Sequence, residues 1–258
     1  MKAVLRGLLL LLTVGKFSKV LLSGGSMVLA VFTYAMIYGW RYAVGFVGLI
    51  LIHEMGHYLA ARQRGLAVGL PTFIPFLGAW IQLKEQVMDA ETEAYVGIAG
   101  PILGSVGAFV CYLVYSRSGD PLYLALAYAG FMINLFNLIP LSPLDGGRIV
   151  AIISERIWLV GVPVLVGLLI LHPSPVLVIV LVLAAPGVLR LIRNKGQPTT
   201  DRPQAPLNAR IGYGVQYLIL LAFLGLMTAE VGRKLDHGRD DPSGPAAVSA
   251  ALAAKVVA

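Results

Sequence analysis

Two histidines four residues apart, His53 and His57, flank a glutamate, Glu54, within an apolar stretch of the sequence. On a helix, positions i and i+4 share one face, so both imidazoles can reach one tetrahedral zinc ion while Glu54 projects towards its open position. Two packed core histidines bonded to backbone carbonyls are the alternative interpretation. That alternative leaves a glutamate unexplained in surroundings where an ionisable group is costly and usually functional. The spacing therefore predicts a zinc site with a base beside it.

The composition is that of a membrane protein. Of the 258 residues, 58% are hydrophobic and 13% are charged, and the mean hydropathy is +0.81. Soluble globular proteins carry about 25% charged residues. The net charge of +7 comes from Lys and Arg that lie singly or in pairs between apolar runs, a pattern of membrane topology rather than of nucleic-acid binding. We therefore expect an all-α polytopic protein in a lipid bilayer, with a single helical domain and no nucleic-acid partner.

The apolar runs predict about six to seven transmembrane helices within residues 20–231, and the residues with candidate chemistry fall within 39–153. Residues 1–19 have basic residues around an apolar run but no small-residue cleavage site, which predicts an uncleaved interfacial segment. A continuous apolar run over 149–171 predicts one of the spans, and residues 232–258 are expected to form a loose tail.

Residues 69–83 interrupt the helical pattern. The segment is apolar, yet Pro71, Pro75 and Gly78 argue against a helix, and it is too short to span the bilayer as one. Irregular backbone at membrane depth occurs only where it is buried in protein or lines a wet cavity. A membrane-re-entrant loop or β-hairpin beside the site is the prediction, with an ordinary interfacial loop as the alternative.

A catalytic zinc ion needs a third protein ligand. With the amino terminus inside, the excess of Lys and Arg falls on the cytoplasmic side, which also receives the end of the His53–His57 helix and the Asp145 turn. The other histidines, His172 and His237, fall on the opposite side, so Asp145 is the candidate. An Asp-Gly-Gly sequence also occurs in turns and helix caps, which is the alternative interpretation. A further set of carboxylates also remains open as ligands: Glu85, Glu91, Glu93 and Glu155.

Three motifs resemble those of the site-2 protease family, the intramembrane zinc metalloproteases. They are His53-Glu54-Met55-Gly56-His57, Ala99-Gly100-Pro101, and Asn137-Leu-Ile-Pro140-Leu-Ser-Pro-Leu144-Asp145-Gly146. The resemblance covers about residues 39–153. It implies a metalloprotease domain over residues 20–231, one zinc ion held by His53, His57 and Asp145, and Glu54 as the catalytic base. No inserted regulatory domain of the kind found in the family is visible, so its regulation cannot be carried over.

The resemblance implies a zinc-dependent endopeptidase that cleaves a peptide bond in or near a transmembrane segment of a membrane protein, in regulated intramembrane proteolysis. We expect a prokaryotic inner-membrane location with the active site towards the cytoplasm. Asn134 or Asn137 could bind the oxyanion or the substrate backbone, or could instead bond a neighbouring helix. Two alternative functions are a non-proteolytic metal-binding scaffold and a membrane-anchored zincin that cuts soluble or misfolded proteins.

Overall fold

The computed structural model describes residues 22–75, 78–80, 89–194 and 205–240. These residues form helices α1 (Leu22–Tyr38), α2 (Trp40–Gln63), α3 (Ala90–Ser118), α4 (Pro121–Asn137), α5 (Asp145–Ala151), α6 (Trp158–Leu171), α7 (Pro175–Arg193) and α8 (Leu207–Asp240). Strands β1 (Thr72–Ile74) and β2 (Gly78–Trp80) lie between α2 and α3. The interfacial segment predicted for residues 1–19 lies outside the described residues.

The predicted all-α membrane character is confirmed by the helices. Among the described residues, α2, α3, α7 and the part of α8 over Leu207–His237 are long and apolar enough to cross a membrane. Helices α1 and α4 are apolar but shorter. Four span-length helices and two shorter ones are compatible with the expected six to seven spans, and the exact number stays a prediction.

Helix α3 lies at the centre of the fold and packs against α2, α4, α5 and α8. Its N-cap is Asp89, whose carboxylate accepts a hydrogen bond from the backbone N–H of Thr92 at 2.8 Å. That bond holds the pKa of Asp89 below its usual range, because it stabilises the charged form. The main core cluster joins α3 to its neighbours through the fully buried side chains of Phe131, Ile149 and Leu224. The central helix is thus fixed at its start and along its length.

The chain between α4 and α5 is not helical, although it lies among apolar helices. Backbone polar groups at such a depth need partners within the protein. The Tyr217 hydroxyl of α8 donates to the Leu138 carbonyl at 2.7 Å, and within the break the Leu144 N–H donates to the Leu141 carbonyl at 2.9 Å. A Cβ on Gly146 would lie 2.2 Å from the Leu138 carbonyl oxygen. Only glycine therefore lets the start of α5 pack onto this break.

The predicted continuous span over residues 149–171 is wrong. Helix α5 ends at Ala151, a 3-10 turn follows at Glu155–Ile157, and α6 begins at Trp158. The Arg210 side chain of α8 donates to the Ile153 carbonyl at 2.8 Å, which satisfies a backbone group that the interruption leaves unpaired. Hydropathy alone could not reveal the interruption, because the residues on either side of it are apolar.

The segment predicted to form a loop or hairpin contains a short antiparallel pair. Thr72 pairs with Trp80, Phe73 with Ala79, and Ile74 with Gly78. The backbone N–H of Phe73 donates to the Ser26 hydroxyl of α1 at 3.0 Å, which ties the hairpin to the first helix. The paired strands of the predicted β-hairpin are therefore present, and their re-entry into the membrane stays a prediction.

Helix α8 continues to Asp240, beyond the boundary predicted at residue 231. Its last turns carry ion pairs between Glu230 and both Arg233 and Lys234, three and four residues further along the helix. The Lys234 amine also donates to the Tyr112 hydroxyl of α3 at 2.9 Å. These contacts extend the helix into the expected tail, of which residues 241–258 lie outside the described chain.

Candidate metal centre

The two histidines of α2 are buried, and their ring edges meet at one point. Their Nε2 atoms lie 3.1 Å apart, as the i, i+4 spacing predicts. Each Nδ1 atom has a partner on another helix: His57 Nδ1 donates to the Val96 carbonyl of α3 at 2.8 Å, and His53 Nδ1 lies 2.8 Å from Asn134 Oδ1 of α4. Because the Nδ1 atoms serve as donors, the Nε2 atoms are left as lone-pair donors to a cation.

Asp145, the first residue of α5, completes a triangle of possible ligand atoms. Its Oδ2 atom lies 3.1 Å from His53 Nε2 and 3.2 Å from His57 Nε2. Among the described residues these three side chains are the only group of at least three His, Cys, Asp or Glu arranged to hold a metal ion. Four helices build this centre, because α3 and α4 orient the histidines of α2 while the break before α5 presents the aspartate.

The donor set fits a zinc ion. Tetrahedral zinc with bonds of about 2.0–2.1 Å keeps its ligand atoms about 3.3 Å apart, close to the spacings found here. Two lone-pair nitrogens and a carboxylate oxygen repel one another at these distances unless a proton or a cation lies between them. Buried side chains already brought together in this way need little rearrangement to bind the metal, so His53, His57 and Asp145 could hold it.

Glu54 is buried beside the triangle and is not one of its corners. Its carboxylate interacts electrostatically with His53, His57 and Asp145, and also with Arg148. A carboxylate next to the metal ligands, but separate from them, is free to exchange a proton with a reacting group. The role of Glu54 as the base stays a prediction.

The asparagines and the alternative ligands lie as follows. Asn134 is buried, its Oδ1 facing His53 and its Nδ2 donating to the Gly130 carbonyl at 2.7 Å. Asn137 is half-buried at the end of α4. Glu91 forms an ion pair with Arg64, and Glu85 lies outside the described residues. The carboxylates left open as ligands, Glu91, Glu93 and Glu155, are not part of the triangle, and neither are His172 and His237, which the sequence already argued against.

Two features of the site could not be inferred from the types of its residues. The Val96 carbonyl that orients His57 is a backbone group, so no residue type signals it. Gly100 packs against the His57 ring, and a Cβ there would lie 2.2 Å from Nε2, the atom that faces the other ligands. The glycine of the Gly100-Pro101 pair thus makes room for a metal ligand, which gives the motif a physical role.

Gly100→Ala is expected to lower the bound zinc per protein well below that of the unsubstituted chain, because the added methyl displaces the His57 ring. Zinc in the purified protein, measured by elemental analysis, tests this expectation. Gly107→Ala on the same helix is the matched control, since its Cβ would meet only the flexible ends of Leu49 and Ile52 at 3.2–3.3 Å. Equal zinc contents in both variants would contradict the proposed crowding.

The sequence resembles known metalloproteases over the part that carries the histidines. Residues 41–119 match the model of Peptidase family M50. A zinc metalloprotease of Methanocaldococcus jannaschii is 33% identical over 113 residues, which are 42% of this chain and 32% of that protein. A protein of Arabidopsis thaliana named a probable chloroplastic zinc metalloprotease is 28% identical over 156 residues, 42% of this chain and 28% of the relative.

One solved structure is also similar. The site-2 protease from Methanocaldococcus jannaschii aligns over 78% of this chain and 86% of its own, with a TM-score of 0.41 and 19% identity. The chain spans about a third of the length of the curated relatives it matches. The family match and the named relatives confirm the resemblance to zinc metalloproteases of the site-2 protease type, and together with the apolar helices they indicate an integral membrane protein. The match contains His53, Glu54 and His57 and ends before Asp145.

Proposed function

We propose that this chain is a zinc-dependent endopeptidase that hydrolyses a peptide bond in or near a transmembrane segment of a membrane protein. The observation that carries the proposal is the buried triangle of His53, His57 and Asp145 with the carboxylate of Glu54 beside it. A metal-binding scaffold has no need of that fourth group, because it does not have to move a proton. The match to Peptidase family M50 supports the same reading.

Each residue has a defined task in this proposal. His53, His57 and Asp145 hold zinc, which when bound polarises the scissile carbonyl and makes water more acidic. Glu54 takes the proton from the attacking water and returns it to the leaving amine. Asn134 orients the ring of His53. Its amide oxygen contacts His53 Nδ1, and its amide nitrogen donates to the Gly130 carbonyl, so the side chain is held in place. Asn137, half-buried near the break, remains the asparagine proposed to contact the substrate backbone or the oxyanion.

The depth of the centre supports a substrate within the bilayer. Helix α2 has 24 residues, and its ligands lie in its second half. At a rise of about 1.5 Å per residue, His57 is roughly 9 Å and His53 roughly 15 Å from the end of the helix. With α2 crossing a bilayer whose hydrocarbon core is about 30 Å thick, both positions would lie inside that core. A peptide segment already in the membrane can reach this depth more easily than a soluble protein.

A membrane substrate must leave its helical conformation before its backbone can be attacked, since helical peptide bonds are shielded by internal hydrogen bonds. The β-hairpin offers a strand edge to which an extended segment could pair. With the cytoplasmic orientation expected from the basic residues, the cleaved product would leave on the cytoplasmic side of a prokaryotic inner membrane. Because such a product would be released into the cytoplasm, the proposal includes a role in regulated intramembrane proteolysis.

Removal and return of the metal test the proposed activity. The purified full chain in detergent is expected to cleave a membrane-anchored reporter, to lose this activity with 1,10-phenanthroline, and to regain it with one equivalent of zinc. Reporter fragments are followed by mass spectrometry, which also locates the cleaved bond. Cleavage that persists after the zinc has been removed, or a cut far outside the apolar segment, would overturn the proposal.

A further inference from the structure

Arg148 is a half-buried cation beside the metal centre, and one of its donors, the buried Nη2, is not used by the site. It belongs to α5, three residues after Asp145, and its side chain is only 20% exposed. Within the part of the chain that the structure describes, two buried side-chain polar atoms have no hydrogen-bond partner: Arg148 Nη2 and Thr228 Oγ1. Buried donors are nearly always paired, and an unpaired charged one is costly. An unused donor at a catalytic centre therefore points to a ligand.

The surroundings of Arg148 place its guanidinium against the outer side of the metal ligand. Nη1 lies 3.9 Å from Oδ1 of Asp145, whose other oxygen faces the histidines. Nε lies 4.0 Å from Oε1 of Glu93 on α3. Arg148 is also among the charges that interact with Glu54. The guanidinium thus borders the reacting groups without filling any of the three metal-ligand positions.

The packing around Arg148 supports this orientation. A Cβ on Gly97 of α3 would lie 3.3 Å from Arg148 Cβ, so the absence of a side chain there lets the arginine pass closely between the two helices. Its stem is held against α3 while its head reaches the centre. An arginine whose only task was to balance charge would not need to lie this deep, because long basic side chains ordinarily extend to the polar boundary.

We propose that Arg148 binds the substrate, its Nη2 donating a hydrogen bond to a backbone carbonyl next to the scissile peptide bond. This inference rests on the proposed peptidase function and deepens it. An extended strand advances about 3.3–3.6 Å per residue, so a carbonyl one residue away from the bond at the metal could reach the guanidinium on the far side of Asp145. The bond to Arg148 would help hold the unwound segment extended.

A neutral carbonyl suits the remaining donor of Arg148. Asp145 and Glu93 already lie within 4.0 Å of the guanidinium, and these carboxylates offset its positive charge. A peptide carbonyl accepts the hydrogen bond from Nη2 without adding charge to this group. An internal peptide segment supplies such a carbonyl, as an endopeptidase requires, and the capped termini of the test peptide exclude a bound carboxyl terminus.

The test measures peptide affinity without turnover. The zinc-loaded Glu54→Gln chain, in detergent, is titrated into a fluorescein-labelled 16-residue peptide rich in Leu, Ala and Gly whose termini are acetylated and amidated. Adding Arg148→Met is expected to raise the dissociation constant about tenfold or more, the effect of losing a hydrogen bond from a charged donor. Arg148→Lys is expected to fall between the two. Arg193→Met, at an exposed position at the end of α7, is the charge-matched control and leaves affinity unchanged.

Zinc content is measured for every variant, because it separates binding from positioning. Full zinc with weakened peptide binding supports the inference. Loss of zinc in Arg148→Met would show that Arg148 acts through Asp145 and overturn it. An unchanged dissociation constant, no peptide binding by the parent, or an effect confined to peptides with a free carboxyl terminus would also overturn it. The metal-removal assay judges the peptidase function separately, since affinity is read here without cleavage.

Discussion

Glu54→Gln is expected to lower the rate of reporter cleavage by about 10²–10⁴-fold, the usual contribution of a positioned acid–base group. The amide keeps the size of the carboxylate but cannot take a proton from water. Glu54 is not a member of the metal-binding triangle, so zinc per protein is expected to stay at the unsubstituted level. Cleavage and zinc content are measured on the same preparation, so that loss of the base is distinguished from loss of the metal.

Glu91→Gln is the matched control for this substitution. Glu91 pairs with Arg64 at the start of α3, where its side chain is 41% exposed, and it makes no contribution to the triangle. Its replacement is expected to leave cleavage unchanged within error. Undiminished cleavage by Glu54→Gln would remove that residue from its proposed role, whatever the zinc content.

Asp145→Ala is expected to abolish stoichiometric zinc binding and, with it, cleavage. The substitution removes the only oxygen of the triangle and leaves two neutral imidazoles, which bind zinc far more weakly than three ligands. The measurement is zinc per protein by elemental analysis after dialysis, with circular dichroism to establish that the helices are retained. Because the proposed role of the arginine depends on a formed site, peptide binding is expected to fall as well.

Glu91→Ala and Glu93→Ala accompany Asp145→Ala, since both carboxylates were open as third ligands from the sequence alone. The structure places neither of them in the triangle. Both variants are expected to retain zinc. A metal content unaffected by Asp145→Ala and lost in one of the glutamate variants would transfer the ligand role to that glutamate.

The sequence was most informative where chemistry is carried by residue type and spacing. The positions of His53 and His57 on one helical face, and the choice of Asp145 by its side of the membrane, led to three side chains that the fold brings within 3.2 Å. Periodicity needed no tertiary information for the first two. Asp145 could be chosen because a residue between membrane-crossing helices must lie on one of two sides of the bilayer, and Asp145 was expected on the side where the His53–His57 helix ends.

What could not be predicted depends on contacts between distant segments. Asn134 was a candidate for substrate binding, and its partner His53 lies 81 positions away. The break between α5 and α6 occurs within apolar sequence and is compensated by Arg210 of α8, a pairing that has no local signal. The part of α8 past residue 231 likewise contacts Tyr112 of α3 through Lys234, and no local signal announces this pairing. Hydropathy measures the free energy of moving a side chain out of water, and it does not identify which distant residue that side chain will contact.

The metal triangle joins parts of the chain that are far apart in sequence. A zinc ion held by His57 of α2 and Asp145 of α5 would close a loop of roughly 88 residues, much as a disulfide restricts an unfolded chain. The loop contains the whole of α3 and α4, so the ion would act as a reversible cross-link around these two central helices. Zinc supply would then affect the lifetime of this protein in the membrane as well as its chemistry, because a zinc-free chain would open more readily to degradation.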